Sequence, residues 1–368
     1  MPSPPTYWDY LRLDQLLGLQ GGLANDDARL LPDEHHFIVV HQNFELWFRL
    51  LLRELRLARD HLGAPRVAEE TISYVVQHLR RINTVLRHCV NQFEVMETLT
   101  PQGFLDFRDN LVPASGFQSF QMREIEILMG LEDAQRIRYG NVDPLRHIDE
   151  AAHDTPAGRL ARGRIKAVRR ERTLLAVLDE WLYRTPIQGS SPGDEGDDEV
   201  VDAFLHEYLE KMASHHQESM RRLLDALDVK DPEAMKDRFG KTREAVEAFL
   251  WARDVEDDDP VRRRRIRAAA LFIESYRELP LLSWPRLLID LVVEMEEHIV
   301  LFRHRHARMV ERTIGRRVGT GGSGGVDYLD KTGSYRVFLD LWAIRTALLP
   351  KARLPRLRDP AFYGFSAR

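Results

Sequence analysis

Two histidines stand on apolar helical stripes, and their position suggests metal or cofactor chemistry. Between Leu288 and Met309 the apolar residues Leu288, Leu291, Met295, Ile299, Phe302 and Met309 recur every three to four positions or at multiples of that spacing, and His306 falls on their face. His304, two positions away, points about 200° around the same helix. Nearer the N-terminus, Phe37, Phe44 and Phe48 define a second stripe, and His41 lies on it. A single inward histidine is commonly a hydrogen-bonded core residue. Two of them on separate long helices can hold a flat cofactor, one as axial ligand and the other opposite. A di-iron centre is the competing metal chemistry and needs paired Glu-x-x-His motifs. Glu294 and His298 are four apart rather than three, and no pair of such motifs occurs.

Two further features bear on a ligand. Phe104 and Arg108 are four apart and share a helix face. An arginine fork beside an aromatic ring suits a small ligand with a carboxylate and a flat apolar body; the plainer reading is a surface arginine paired with Asp106 or Asp109. The stretch GTGGSGG (Gly319–Gly325) satisfies G-x-G-x-x-G at Gly319, Gly321 and Gly324. A dinucleotide loop needs a preceding strand, and a P-loop needs Lys-Ser or Lys-Thr directly after its last glycine. A charged helix precedes this loop, and Lys331-Thr332 comes too late. What remains is backbone able to approach a ligand closely, or a plain surface linker.

The elements that position these residues are all helical. Helices are expected from Pro32, from about Val67 to Leu99, from Thr100-Pro101 to near Pro113, and from about Phe117 to Leu128, with Ser115 as a cap and Gly130 as the stop. Further helices cover Ile165–Arg184, Val200–Leu227, Pro232–Ala252 and Ser283–Ile314. The basic run Arg262–Arg265 follows an acidic stretch and reads as a solvated helical face. The 368 residues are read as a single all-α domain, with 189–265 as a helical insertion that opens on the loop QGSSPGDEGDDE.

Composition narrows the function classes. A net charge of -5 argues against a partner held by bulk electrostatics, so no nucleic acid is expected. The single cysteine, Cys89, excludes an internal disulfide and any multi-cysteine metal site; its place on an apolar stripe suggests a buried thiol. No run approaches a membrane span and the N-terminus does not read as a signal peptide, so a cytoplasmic protein with no membrane partner is expected.

Four stretches carry a resemblance: TYWDYLRLDQLL (Thr6–Leu17), DEHHFIVVHQNFELWF (Asp33–Phe48), LTPQGFLDFRDNLVPASGFQSFQ (Leu99–Gln121) and HARMVERTIGRRVGTGGSGGVDYL (His306–Leu329). Together and in this order they resemble the tryptophan 2,3-dioxygenase family. The resemblance implies an all-α helical bundle holding haem b with ferrous iron, a homotetramer, and O2 as co-substrate. It implies cleavage of the indole C2–C3 bond of L-tryptophan to N-formylkynurenine, the first step of the kynurenine pathway. His306 falls at the family's axial iron ligand and His41 at the distal histidine that hydrogen-bonds the indole N–H. Phe37 and Phe104 fall at aromatic positions packing on the indole, Arg108 at the carboxylate clamp and Thr320 at the ammonium contact. Ser115 matches a hydroxyl near the distal histidine, and Tyr7 and Tyr10 match tyrosines reaching into a neighbouring subunit's site. The glycine loop is implied to order over the amino-acid end of the substrate. Ser323–Gly325 and Phe302 depart from the family's commoner Ser-Ser-Gly and Trp. They leave room for a relative that acts on a substituted tryptophan or inserts one oxygen in natural-product biosynthesis.

Overall fold

The structure is a computed structural model, and it describes residues 4–138, 144–152, 155–226, 231–256, 259–320 and 324–364. Among these residues no strand forms, and the one β pairing is an isolated bridge between Ile187 and Ser190. The helices in chain order are α1 (Tyr7–Leu11), α2 (Leu13–Leu16), α3 (Pro32–Leu62), α4 (Glu69–Met96), α5 (Pro101–Phe107), α6 (Phe120–Met129), α7 (Pro144–Ala151) and α8 (Pro156–Val168). They continue with α9 (Leu174–Arg184), α10 (Asp197–Ala226), α11 (Pro232–Leu250), α12 (Pro260–Ser275), α13 (Ser283–Ile314), α14 (Val326–Thr332) and α15 (Leu339–Ala347).

The chain divides into two compact units. The first is made of residues 1–56, 81–171 and 295–336, and the second of 57–80, 172–294 and 337–368. The segment 189–265 lies in the second unit, where α10 packs on α11 and α12, and α12 packs on α9 and α15.

In the first unit, local signals set the helix ends. Thr100 caps α5 by accepting from the Gly103 amide, with Pro101 in the first turn, where its missing N–H costs nothing. Ser115 caps a short 3-10 turn, Gly116–Gln118, and a second serine, Ser119, caps α6. The expected single start at Ser115 is thus two starts, because each serine satisfies its own set of free amides. α6 stops at Gly130, whose φ of 124° suits glycine. Gly325 opens α14 at φ 60° and ψ -127°, and a Cβ there would lie 2.7 Å from the Arg317 carbonyl oxygen, so only glycine fits. The first-unit core is aromatic: Phe44, Phe48, Phe93 and Phe302 are buried together with mostly tilted or edge-on rings. Cys89 is fully buried, and burial pushes its thiol up to about 12.

The second unit corrects two expectations. Ile165–Arg184 is not one helix. α8 ends at Val168, and Thr173 caps a separate helix, α9, by accepting from the Ala176 amide. The arginine run on α12 is not a solvated face. Arg262 pairs with Glu180, Arg263 with Asp179 and Asp340, Arg264 with Asp202, and Arg265 with Asp197; Arg267, just beyond, pairs with Asp254 and Asp340. Arg265 and Arg267 are buried. Their partners come from α9, α10, α15 and the α11–α12 loop, so local sequence could not reveal them.

Candidate active site

The first unit encloses a cavity of about 1550 Å3, counting its open mouth. Phe37, His41, Phe44, Glu45 and Phe48 of α3 line one side. Phe302, Arg303, His306, Met309, Val310 and Thr313 of α13 line another. Phe37, His41, Phe44 and Phe48 are three or four apart and Glu45 lies one turn after His41, so one helical face delivers them all.

His306 is a neutral imidazole at physiological pH. Burial is the main cause, helped by His41 and by the positive charges of Arg303 and Arg123, and together they bring its pKa down to about 4. The Phe93 ring lies nearly parallel to it, with centroids 5.8 Å apart and planes at 17°. His304 is exposed and rests against Gly333, as the opposite face of the helix requires.

His41 has one nitrogen committed. Its Nδ1 lies 2.8 Å from the Phe37 carbonyl oxygen. A carbonyl only accepts, so Nδ1 carries the proton and Nε2 is left as an acceptor. The ring keeps accessible surface on the cavity it lines. Even so, burial lowers its pKa, against the raising effect of the Phe37 hydrogen bond, and His36 lowers it further. The Phe37 ring packs 3.9 Å from the His41 ring, and Phe37, Phe104 and Phe107 pack mutually at 5.3–6.0 Å.

Arg108 and Thr320 both line the cavity and are tied to main chain. The Arg108 Nη2 donates to the Val318 carbonyl oxygen at 2.5 Å, and the Thr320 hydroxyl donates to the Ala114 carbonyl oxygen at 2.6 Å. Arg108 makes neither of the local ion pairs considered for it; its Nε is buried without a hydrogen-bond partner. Ser115 also lines the cavity, and its oxygen accepts from the Phe117 amide. Of the glycine loop, Gly319, Thr320 and Gly325 border the cavity. Gly321–Ser323 lie outside the described residues. Tyr7 and Tyr10 do not join the cavity of their own chain; they are 71% and 79% exposed.

The cavity also holds residues that sequence reading passed over: Glu45, Met122, Arg123, Arg303 and Tyr328. Arg303 had a signal, because it lies one turn before His306 on the same helix. Tyr328 had none, since the short α14 was not recognised as a helix. Glu45 is held by Gln121, whose amide donates to its carboxylate at 2.8 Å and to its carbonyl oxygen at 2.7 Å.

The donor set tests which metal could sit here. Among the described residues no three of His, Cys, Asp and Glu gather to hold a bare ion. A porphyrin brings its own ring nitrogens and asks the protein for one neutral imidazole inside an apolar, aromatic slot. His306 and its surroundings fit that requirement.

Comparison with known proteins gives the family. The family model for tryptophan 2,3-dioxygenase matches residues 2–348. A tryptophan 2,3-dioxygenase of Sorangium cellulosum is 46% identical over 98% of this chain and 87% of its own length. Tryptophan 2,3-dioxygenase 2 of Ralstonia nicotianae is 45% identical over 99% of this chain and 98% of its own. A tryptophan 2,3-dioxygenase-like protein of Xanthomonas campestris is 44% identical over 73% of this chain and 98% of its own. The chain belongs to the tryptophan 2,3-dioxygenase family, whose members are haem-dependent and use O2. No helix among the described residues is long and apolar enough to cross a membrane.

Proposed function

We propose that this protein opens the indole ring of L-tryptophan with O2, giving N-formylkynurenine. The observation that carries the reading is the meeting, in one cavity, of a neutral imidazole, an acceptor nitrogen, an aromatic wall and an arginine–hydroxyl pair. His306 would hold the haem, which when bound would supply the activation of dioxygen.

The chain's own residues bind and orient. Phe37 and Phe104 give a flat apolar surface for the indole ring. The His41 Nε2, left as an acceptor, suits the indole N–H; a neutral His41 orients the ring rather than acting as an obligatory base. At the amino-acid end, Arg108 exchanges the Val318 carbonyl for the substrate carboxylate, a stronger charge-assisted partner. The Thr320 oxygen keeps a lone pair for the substrate ammonium while its hydrogen stays on Ala114. Ser115 keeps its hydroxyl hydrogen for a polar contact beside His41. Closing these contacts over the substrate excludes water.

The same reading assigns a homotetramer in the cytoplasm. Its support is the N-terminal segment, where Tyr7, Trp8, Tyr10, Leu17, Leu19 and Leu23 are all exposed to a degree that suits burial against another copy. Tyr7 and Tyr10 are assigned to the neighbouring subunit's site.

An aerobic assay of the reduced, haem-loaded protein with L-tryptophan tests the activity. The expected product is tryptophan plus two oxygen atoms; haem binding with one oxygen added, or with no product, overturns the reading. Arg108→Ala is expected to cost about 2–3 kcal/mol in kcat/KM for tryptophan and much less for indole. Light scattering of the full chain and of a chain lacking residues 1–10 tests the assembly and the cross-subunit tyrosines. Full activity in the shortened chain is the result that defeats that assignment.

A further inference from the structure

One cluster in the cavity wall has no role in the reading above. Arg123 and Glu126 of α6, Arg136, and Arg303 of α13 meet there, each with a side chain at least nine-tenths buried. Glu126 serves all three guanidinium groups. One of its oxygens accepts from Arg303 at 2.5 Å; the other accepts from Arg136 and lies 2.9 Å from Arg123. Arg136 has a second carboxylate at the surface, Asp133 at 3.3 Å. Arg123 and Arg303 have only the shared one among the ion pairs of the described residues. These two are also the ones that line the cavity. The Nε atoms of both are buried without a hydrogen-bond partner. Glu45, the carboxylate in the cavity lining, is held by Gln121.

Two buried guanidinium groups on one carboxylate leave a positive charge without a counter-charge. Burial without compensation is strongly unfavourable, and neither group can relieve it by losing a proton. The wall therefore calls for an anion from inside the cavity, one with oxygen acceptors to meet the unused N–H groups. A carboxylate has that chemistry. The amino-acid end of the substrate already has Arg108, which is carried by another element. Arg303 instead stands one turn before His306, beside whatever His306 holds.

We propose that Arg123 and Arg303 form the anchor for the propionate carboxylates of the haem, and that Glu126 holds both guanidinium groups in place while leaving their charge in surplus. The inference rests on the haem reading of His306. Cofactor uptake then completes the charge balance of the wall as well as filling the slot.

The test is the rate at which cofactor leaves the protein. Full-length protein is reconstituted with haem or with haem dimethyl ester, whose carboxylates are masked, and transfer to excess apomyoglobin is followed by absorbance. The ester is expected to leave the unaltered protein at least tenfold faster than haem. Arg123→Met or Arg303→Met is expected to speed haem loss by a similar factor and leave ester loss unchanged. Equal rates for haem and ester in the unaltered protein overturn the proposal, and that comparison needs no variant to fold. Unchanged haem loss in Arg123→Met with a raised KM for tryptophan also overturns it, because the anion is then the substrate's. Failure of the unaltered protein to retain haem is a separate outcome and removes the haem reading itself.

Discussion

Both units of this protein bury arginines, and they do so to different ends. In the second unit, five arginines of α12 meet carboxylates from α9, α10, α15 and the α11–α12 loop, so that each has a carboxylate partner. The most buried of them, Arg265, also donates to the carbonyl oxygens of Tyr183, Thr185 and Ser190. In the first unit, Arg123 and Arg303 share Glu126 and leave N–H groups unused at a cavity. A lattice with matched charges is complete by itself and holds helices together. A lattice with surplus charge is incomplete until something binds. Unused Nε donors occur in both networks, on Arg264 and Arg267 as on Arg123 and Arg303, so what tells a structural ion-pair network from a binding wall is the balance of charges rather than the number of arginines or of free donors.

Asp197→Ala strips Arg265 of its buried counter-charge, and about 3–5 kcal/mol of stability should be lost. Urea unfolding measures it, and adding haem should not restore the loss, because the affected charge belongs to the second unit. Glu126→Gln should cost roughly 2–4 kcal/mol in the haem-free protein, with most of it regained on haem binding. An equal loss with and without haem would show that the first unit's cluster is structural, like the second's.

Acid separates the groups next. The folded pKa of His306, about 4, lies below its ordinary 6.5, so the unfolded chain binds the extra proton first. Its contribution to stability is present above pH 6.5 and is lost as pH falls from 6.5 to about 4. Burial pushes Glu126 up, but Arg123, Arg303 and Arg136 outweigh it and hold it at about 2, below the ordinary 4.5. Its contribution is present above pH 4.5 and is lost as pH falls from there towards 2. Thermal midpoints of the haem-free protein should therefore fall in two stages. His306→Gln should shrink the first stage, which His41 shares because burial lowers its pKa as well, and keep the second. The smallest effect is expected at Arg262→Ala, within about 1 kcal/mol, because that pair with Glu180 is about one-third exposed. A larger loss would mean that the α12 network acts as one cooperative unit.

Much of this was readable from the chain. The 3.6-residue period placed α3 and α13 and put His41 and His306 on their inward faces, since side chains three or four apart must share a face. Thr100-Pro101 announced α5, because a cap followed by proline is a purely local signal. Reading failed where the deciding contact was distant. Arg262–Arg265 looked solvated because its carboxylates are tens of residues away in sequence. Arg123, Glu126 and Arg303 stayed unnoticed because their charge count becomes meaningful only once α6 and α13 share a cavity wall. The run from Ile165 to Arg184 looked continuous because periodicity does not register a five-residue break.

The sequence by itself determined that the protein is helical, which faces are apolar, and which two histidines turn inward, because period, caps and glycines act over one or two turns. The tertiary structure alone decided that His41 has a committed Nδ1 and a free Nε2, that Arg108 and Thr320 are tied to Val318 and Ala114, and that one arginine cluster is balanced while another is not. Those facts depend on burial and on partners brought together from far along the chain. Both the cost of an unmatched charge and the tautomer of a ring are set by what surrounds them in space.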